Sequence, residues 1–201
     1  MAQILYPSLK HYKMAAAQLM AGDLVALPTE TVYGLAALAD NQAAVKKIYT
    51  VKSRPKNKLL PHIALSKKVA QKLAIISPLA HSLMDRYWPG PLTLVLPKNG
   101  KNGETIALRH PATGWAKAFA SMGFDTPLVL PSANTSGLSA PITAAQVNQD
   151  IGNKISLIID GGTVHGTAST ILKIEGTKIT LLRAGALSPE KLAGFSVAFQ
   201  E

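Results

Sequence analysis

The sequence contains no cysteine, few aromatic residues and few acidic ones. The absence of cysteine excludes disulfides, thiolate nucleophiles, and zinc or iron–sulfur sites with cysteine ligands. No apolar run approaches the roughly 18 residues needed to cross a bilayer. Residues 1–10 lack the apolar core of a secretory signal. We therefore expect a cytoplasmic protein, without a membrane partner, whose stability comes from packing.

Acidic residues are outnumbered by basic ones, because 21 Lys and Arg face 11 Asp and Glu and leave a formal net charge of +10. Such an excess attracts nucleotides, phosphates or nucleic acid through long-range electrostatics. Aromatic residues make up only 5% of the chain, and no aromatic-rich RNA-binding signature is present. The charge predicts an anionic partner but does not distinguish ATP from RNA.

Helical and strand patterns alternate along the 201 residues, of which 47% are hydrophobic. Residues 169–183 are typical of a β-hairpin with Gly176 in its turn. No internal repeat or linker is visible, so residues 1–201 are predicted to form one layered domain of mixed α/β class. We predict helices at 11–23, 40–52, 66–74, 77–87, 113–123 and 142–152. We predict strands at 23–28, 58–66, 92–97, 104–111, 126–137 (opening into a polar turn) and 156–162.

Standard nucleotide and metal signatures are absent. Neither GxxxxGK[ST] nor GxGxxG occurs, so any ATP site must be of another type. The five histidines do not have the spacing of metal ligands. We therefore predict no metal held by the protein alone.

Two cations precede Pro55: Lys52, the last residue of a predicted helix, and Arg54, which follows that helix. A residue before proline is biased towards extended backbone, where a spacing of two places both side chains on one side. The pair could therefore converge on one anion. Alternatively, they are solvated loop cations that complement the end of a helix dipole.

Two polar loops are further candidates for a binding site. Ser132 and Asn134 in PSANTSG follow a buried strand and could bind a ligand, although Ser, Asn and Gly are also common turn formers. In TETVYG, Glu30 could ligate Mg²⁺ or cap a helix, and Tyr33 could stack on a base or pack in the core. Arg109 ends an apolar strand and needs either a carboxylate partner or a bound anion.

Seven segments follow one another along the chain: LPTETVYGL, KSRP, YWPGPLTLVLP, TIALRHP, PSANTSG, DGG followed by AST, and LRAG. In their residues and their order they resemble the YrdC/TsaC-type threonylcarbamoyl-AMP synthases. The resemblance covers about residues 5–190. It implies a YrdC-like fold, in which an open, twisted sheet of mixed parallel and antiparallel strands has flanking helices and a basic concave cavity. It also implies a nucleotidyl transfer in which L-threonine, bicarbonate and ATP give threonylcarbamoyl-AMP and pyrophosphate for modification of tRNA adenosine next to the anticodon.

The resemblance implies a role for particular residues. Threonine or its carbamate would be held by Thr31, His62, Arg109, Ser132 and Ser169. ATP would be held, with Mg²⁺ accompanying it, by Lys52, Arg54, Thr105, Asn134 and Arg183. Asn57 or Lys58 would add an ATP contact, because KSRPKNKLLPHI is one residue shorter than the longer family form. Lys52 and Arg54 would be catalytic, neutralising charge as pyrophosphate leaves.

The chain departs from the family pattern where LRAG replaces LRPG and TAST replaces an ESTV-like segment. It resembles the short, single-domain form, since the extension of the two-domain form is not present. Its product is expected to pass to tRNA threonylcarbamoyl-transferase proteins, with a weak contact to tRNA itself. The alternatives are a module that binds double-stranded RNA or tRNA without catalysis, and a carbamoyl-transfer paralogue.

Overall fold

Eleven strands form one sheet in the computed structural model, which describes residues 1–192 and 194–199 of the chain. In chain order they are β1 (Gln3–Leu5), β2 (Val25–Leu27), β3 (Gly34–Leu38), β4 (His62–Ile63), β5 (Leu92–Pro97), β6 (Thr105–Arg109), β7 (Leu128–Val129), β8 (Leu157–Ile159), β9 (Thr170–Glu175), β10 (Lys178–Arg183) and β11 (Val197–Phe199). Across the sheet the order is β1-β8-β2-β3-β7-β4-β6-β5-β9-β10-β11.

Parallel and antiparallel pairs both occur, as predicted. The pairs β1–β8, β2–β8, β4–β6, β5–β9 and β10–β11 are parallel. The pairs β2–β3, β3–β7, β4–β7, β5–β6 and β9–β10 are antiparallel. The β9–β10 pair is the hairpin predicted from the sequence, and Gly176 lies in its turn at φ 61°.

All six predicted helices are present. Each begins after a Ser, Thr or Asn whose side chain accepts a hydrogen bond from a backbone N–H of the first turn. Such an N–H has no acceptor within the helix itself. No described helix combines the length and apolarity that spanning a membrane would require. The helices are α1 (Leu9–Met20), α2 (Gln42–Val51), α3 (Lys67–Leu73), α4 (Pro78–Tyr87), α5 (Gly114–Ser121) and α6 (Ala144–Ile151), followed by a 3₁₀ turn at Pro189–Leu192.

Side-chain alternation in the central strands separates a hydrophobic core from a polar face. Leu92 and Leu94 of β5 and Leu108 of β6 pack with α3 and α4. Because successive residues of a strand point to opposite faces, the intervening Thr93 and Arg109 face the other way. Two further clusters, around α2 with α6 and around α1 with α5, complete the core.

Three strands, β1, β3 and β11, were not predicted from the sequence. The five residues of β3 are all buried, and such strands are continuous apolar runs without the alternation that marks a half-buried strand. The strand predicted at 58–66 is only two residues long in the structure. The assignment of residues 1–201 to one domain remains a prediction, and residues 193, 200 and 201 lie outside the described part of the chain.

Candidate active site

A cavity of about 290 Å³ lies on the polar face of the central strands. This volume is near the lower end of the range, about 300–1,000 Å³, that small-molecule sites occupy. Among the described residues that line it there is no Asp or Glu. The polar side chains in its wall belong to three arginines and five hydroxyl residues: Arg54, Arg109, Arg183, Thr29, Thr31, Thr93, Ser132 and Ser169.

Arg109, at the end of β6, is 8% exposed and is fixed by backbone and side-chain contacts. Its Nε donates to Gly90 O at 3.2 Å, and its Nη1 donates to the Thr31 hydroxyl at 3.0 Å. Its Nη2 lies 2.8 Å from Glu30 Oε1 as an ion pair. The geometry of this last contact is not that of an aligned hydrogen bond, so Nη2 is a buried donor without such a partner. The guanidinium is therefore held in place in the cavity wall, where its positive charge suits an anionic ligand.

Glu30 lies behind Arg109 and does not line the cavity. Its Oε1 also accepts the backbone N–H of Ala112 at 3.1 Å, just before α5. Arg109 thus has the internal carboxylate partner of the first alternative. It also lines the cavity, and binding of an anion there stays a prediction. For Tyr33, the sequence left stacking on a base and packing in the core as alternatives. Tyr33 is fully buried and donates to Gly162 O at 2.7 Å, so it packs in the core.

The TET turn presents the Thr31 hydroxyl to the cavity. Thr29 Oγ1 donates to Val32 O at 2.7 Å, which uses its only hydrogen. The contact of 2.8 Å between the Thr29 and Thr31 hydroxyls therefore has Thr31 as donor. Since Thr31 also accepts from Arg109, what it can offer to a ligand is a remaining lone pair.

Arg183 reaches the cavity from the end of β10. Its Nε and Nη2 donate to Ser169 O at 3.0 and 2.7 Å, and Nη2 also donates to Ser169 Oγ at 3.1 Å. Ser169 Oγ lies 2.8 Å from the Thr93 hydroxyl. Burial and repulsion from Arg109 lower the pKa of Arg183 from its usual value. Two crowded guanidinium groups of this kind favour an anion between them.

Arg54 lines the cavity from the loop after α2. Its Nε donates to Lys58 O at 3.2 Å and its Nη2 to Leu59 O at 2.9 Å. Backbone carbonyls of the same loop therefore fix the Arg54 side chain. The side chains of Asn57 and Lys58 are exposed and lie outside the cavity wall. Neither residue gains support as an ATP ligand from its place in the structure.

Lys52 was treated as a loop cation, and this interpretation is wrong for its environment. Lys52 is 1% exposed, and its Nζ donates to Ser132 O and Asn134 O, each at 2.5 Å. It therefore lies behind the PSANTSG loop rather than in solvent. Removing Lys52 would therefore affect the fold as well as the site, because the carbonyls of Ser132 and Asn134 would lose their donor.

The other predicted residues divide between the wall of the cavity and its surroundings. Asn134 is 6% exposed and donates to Thr135 O and Leu138 O, so it shapes the loop from behind. Thr105 is exposed at the start of β6, four residues from Arg109 on the same face, but outside the wall. The residues that do line the cavity are Thr31, Arg54, Arg109, Ser132, Ser169 and Arg183.

His62 is separated from the cavity by strand alternation. It pairs with Leu108, whereas the neighbouring Ile63 pairs with Arg109 and lines the cavity. His62 therefore points to the face of the sheet opposite Arg109. Its Nδ1 lies 3.1 Å from Leu60 O, and burial lowers its pKa. The threonine contact implied for His62 stays a prediction that this placement does not support.

Sequence reasoning missed two polar residues of the wall, Thr29 and Thr93. Thr93 is 3% exposed and is the one hydroxyl in the apolar run LTLVLP. A buried hydroxyl costs free energy unless it is hydrogen-bonded, so its place in that run was a usable signal. Thr29 could have been found by its spacing of two from Thr31.

The buried ammonium of Lys52 leads to a testable dependence of stability on pH. Burial, with added repulsion from Arg54 and opposed by Asp150, lowers its pKa from 10.5 to about 8. Between these values the unfolded chain binds more protons than the native one, so the free energy of unfolding rises with pH. Relative to Lys52→Met, the wild type should gain about 2 kcal/mol between about pH 7 and pH 9.5 in denaturant unfolding. If the difference in unfolding free energy between the wild type and Lys52→Met does not change with pH, the lowered pKa of Lys52 is contradicted.

The described residues contain no group of three or more His, Asp or Glu that could hold a metal ion. Near the cavity, Glu30 has one carboxylate oxygen bound to Arg109 and Ala112. Its other oxygen is buried without a partner, and the carboxylate lies outside the cavity wall. This donor set does not fit a divalent cation held by the protein alone.

These features define an α/β protein whose cavity, lined by three arginines and several hydroxyls, suits an anionic ligand. A sequence model of the Sua5, YciO and YrdC proteins, described as "Telomere recombination", matches residues 17–185. The chain belongs to this Sua5/YciO/YrdC family, which confirms the resemblance found in the sequence.

Individual relatives agree with this assignment. The chain is 41% identical over 189 residues to the threonylcarbamoyl-AMP synthase of Pyrococcus abyssi (strain GE5 / Orsay), covering 90% of this chain and 55% of that protein. It is 40% identical over 188 residues to the threonylcarbamoyl-AMP synthase of Bacillus subtilis (strain 168), covering 89% and 54%. The chain thus spans about half the length of these two relatives.

The fold is confirmed by comparison with a solved structure. The crystal structure of P. abyssi Sua5 complexed with L-threonine matches with a TM-score of 0.90 at 35% identity, covering 98% of this chain and 62% of that chain. The predicted open mixed sheet with flanking helices is therefore correct.

Proposed function

We propose that the chain is an L-threonylcarbamoyladenylate synthase, which joins L-threonine, bicarbonate and ATP into threonylcarbamoyl-AMP and releases pyrophosphate. The observation that carries the proposal is the convergence of Arg54, Arg109 and Arg183 on one cavity without an acidic residue in its described wall. The reaction brings a carbamate anion to the α-phosphate of a polyanion. Fixed cations offset that repulsion and hold the two reactants in line.

The threonine end of the cavity is assigned to Arg109 and Thr31. Arg109 lines the cavity, and its planar guanidinium suits a carboxylate. Thr31 has its hydrogen committed to Thr29, so it would accept a hydrogen bond from the substrate. L-Threonine offers N–H and O–H donors beside its carboxylate, which matches this pair of sites. Ser132 and Ser169 would complete the pocket around the carbamate.

The ATP end is assigned to Arg54 and Arg183, with Asn134 shaping the PSANTSG loop from behind the cavity wall. Both arginines line the cavity, and their planar donors suit phosphate oxygens. Thr105, and Asn57 or Lys58, are retained as ATP contacts only on the family pattern. No side chain is needed as a covalent nucleophile, because the carbamate itself attacks phosphorus.

Mg²⁺ is proposed to enter with the nucleotide rather than to occupy a site of the protein. The described residues offer no cluster of metal ligands. Bound to the phosphates, the ion would spread the charge that develops on the leaving pyrophosphate. The cations of the chain would add to this effect and position the triphosphate.

Omission of single substrates tests the proposed function. Pyrophosphate release from the purified protein should require L-threonine, bicarbonate and ATP together. Release at the same rate without threonine or without bicarbonate would contradict the proposal, since it would indicate simple ATP hydrolysis. L-Serine in place of L-threonine serves as a matched substrate control for the contribution of the methyl group.

The net charge of +10 favours a second partner, RNA. We propose a weak contact with the tRNA that is later modified, and transfer of the adenylate to tRNA threonylcarbamoyl-transferase proteins in the cytoplasm. RNA binding without catalysis is the rival function. It predicts tight, steeply salt-dependent binding of tRNA or double-stranded RNA with no adenylate product, whereas the proposed enzyme forms product in the absence of RNA.

A further inference from the structure

Lys52 lies behind the wall of the cavity and is almost fully buried, at 1% exposed. Its Nζ donates to Ser132 O and to Asn134 O at 2.5 Å each, and Asn134 Oδ1 lies at 3.5 Å. An ammonium has three N–H donors. These contacts use its donor capacity on the PSANTSG loop and leave none directed into the cavity.

The shape of the loop explains why one ammonium can hold two carbonyls. Ser132 forms an antiparallel bridge with Gly34, the first residue of β3, and the chain bends at the next two residues, 133 and 134. The bend leaves Ser132 O and Asn134 O both 2.5 Å from one Nζ. The backbone of Lys52 adds a third tie, because its carbonyl accepts from Ser136 N at 2.7 Å.

Arg54 has the opposite arrangement, although it is only two residues further along. It lines the cavity, and its own contacts are to the backbone of Lys58 and Leu59, not to PSANTSG. The two cations thus serve different loops. Only Arg54 presents its charge in the cavity wall.

We propose that Lys52 is a positioning residue that fixes residues 132–134 and so sets the geometry of both substrate pockets. It acts through Ser132, on the carbamate side, and through Asn134, on the ATP side. The assignment of the two pockets rests on the proposed function. The holding of the loop does not, and it can be measured without any substrate.

Hydrogen exchange on the ligand-free protein tests the loop directly. Lys52→Met removes the donors at nearly constant length, and Arg54→Met removes one charge from the same segment as the matched control. Amides of residues 132–137 should exchange about tenfold or more faster in Lys52→Met, because the loop opens more readily. They should be unchanged in Arg54→Met. Equal protection in Lys52→Met and the wild type would overturn the proposal.

Calorimetric binding separates positioning from direct contact with phosphate. Lys52→Met should weaken both L-threonine and ATP by about tenfold or more, whereas Arg54→Met should weaken ATP alone. An effect of Lys52→Met confined to ATP would overturn the proposal. Failure of the wild type to bind threonine would count against the proposed function, and the exchange result would still decide the role of Lys52.

Chemical labelling of the wild type covers the case in which Lys52→Met does not fold. Acetylation of the native protein, with sites located by mass spectrometry, should modify the exposed Lys56 and leave Lys52 unmodified, with or without ATP. Modification of Lys52 in the free protein together with protection by ATP would identify it as a cation of the cavity wall. That result would also overturn the proposal.

Discussion

Replacing Arg109 with alanine is expected to lower kcat/KM for L-threonine on the order of 10³-fold, because the buried charge proposed to hold the substrate carboxylate is lost. The same change should destabilise the fold by roughly 3 kcal/mol, since Glu30 would keep a partly buried carboxylate without its cation. Steady-state kinetics with threonine as the varied substrate and denaturant unfolding measure the two effects.

A double-mutant cycle with Glu30 separates the two contributions of Arg109. Glu30→Gln combined with Arg109→Ala should recover much of the lost stability, because no unpaired charge remains. It should recover none of the threonine affinity. Arg109→Lys should retain the charge but not the planar donors, and should remain well below the wild type in kcat/KM. Wild-type threonine kinetics in Arg109→Ala would exclude Arg109 from the substrate pocket.

Gly185→Ala is expected to lower activity about 10²-fold while leaving a folded protein. A Cβ at this position would lie 2.5 Å from both the carbonyl carbon of Ser169 and the nitrogen of Thr170, and would also contact Ala168 O. These neighbours are backbone atoms, so segment 168–170 would have to move. Ser169 and its contact with Arg183 would move with it, and a misplacement of about 1 Å can cost about 10²-fold in rate.

Gly114→Ala is the matched control for Gly185→Ala. A Cβ at Gly114 would meet the Tyr12 hydroxyl at 3.1 Å, which is the end of a side chain that can shift. Gly114 begins α5, where alanine is a better helix former than glycine. This variant should keep wild-type kinetics and stability. Full activity in Gly185→Ala would show that the approach to segment 168–170 is not needed to place Ser169.

The pairing of Lys52 and Arg54 shows where sequence reasoning failed and why. Extended backbone would have placed both side chains on one side. In the structure Lys52 caps α2 in helical geometry and Ser53 has a left-handed φ of 48°. Arg54 N then donates back to Tyr49 O. The chain therefore turns between the two cations, and their side chains contact different loops. The left-handed conformation of Ser53 is rare for serine, and the neighbouring residues do not predict it.

Arg183 illustrates a second limit of pattern reasoning. Strict alternation along β10 would place it with Ile179 and Leu181, whose partners on β9 are core residues. The register shifts between Leu181 and Arg183, so that Arg183 pairs with Ile171 in the cavity wall. Leu182 is the extra residue of this bulge and is 38% exposed. Bulges re-aim side chains near functional sites, but period-two patterns do not reveal them.

Other parts of the site were accessible from the sequence. The buried strands leading into TET and PSANTSG were visible as apolar runs, and both polar loops meet at the cavity. Arg109 was identified because an arginine at the end of an apolar strand requires an anion. The proposed substrates were never contained in such patterns, since hydroxyls and arginines suit many anions. They were proposed from the order of motifs along the chain.

Product analysis with ¹³C-labelled bicarbonate tests the central claim most directly. After incubation of the protein with ATP, L-threonine and the label, mass spectrometry should detect an adenylate that contains both threonine and ¹³C, together with pyrophosphate. Omitting any one substrate should abolish it. Formation of AMP or ADP without a labelled threonine adduct, at the rate seen with all substrates present, would contradict the assignment of this cavity to threonylcarbamoyl-AMP synthesis.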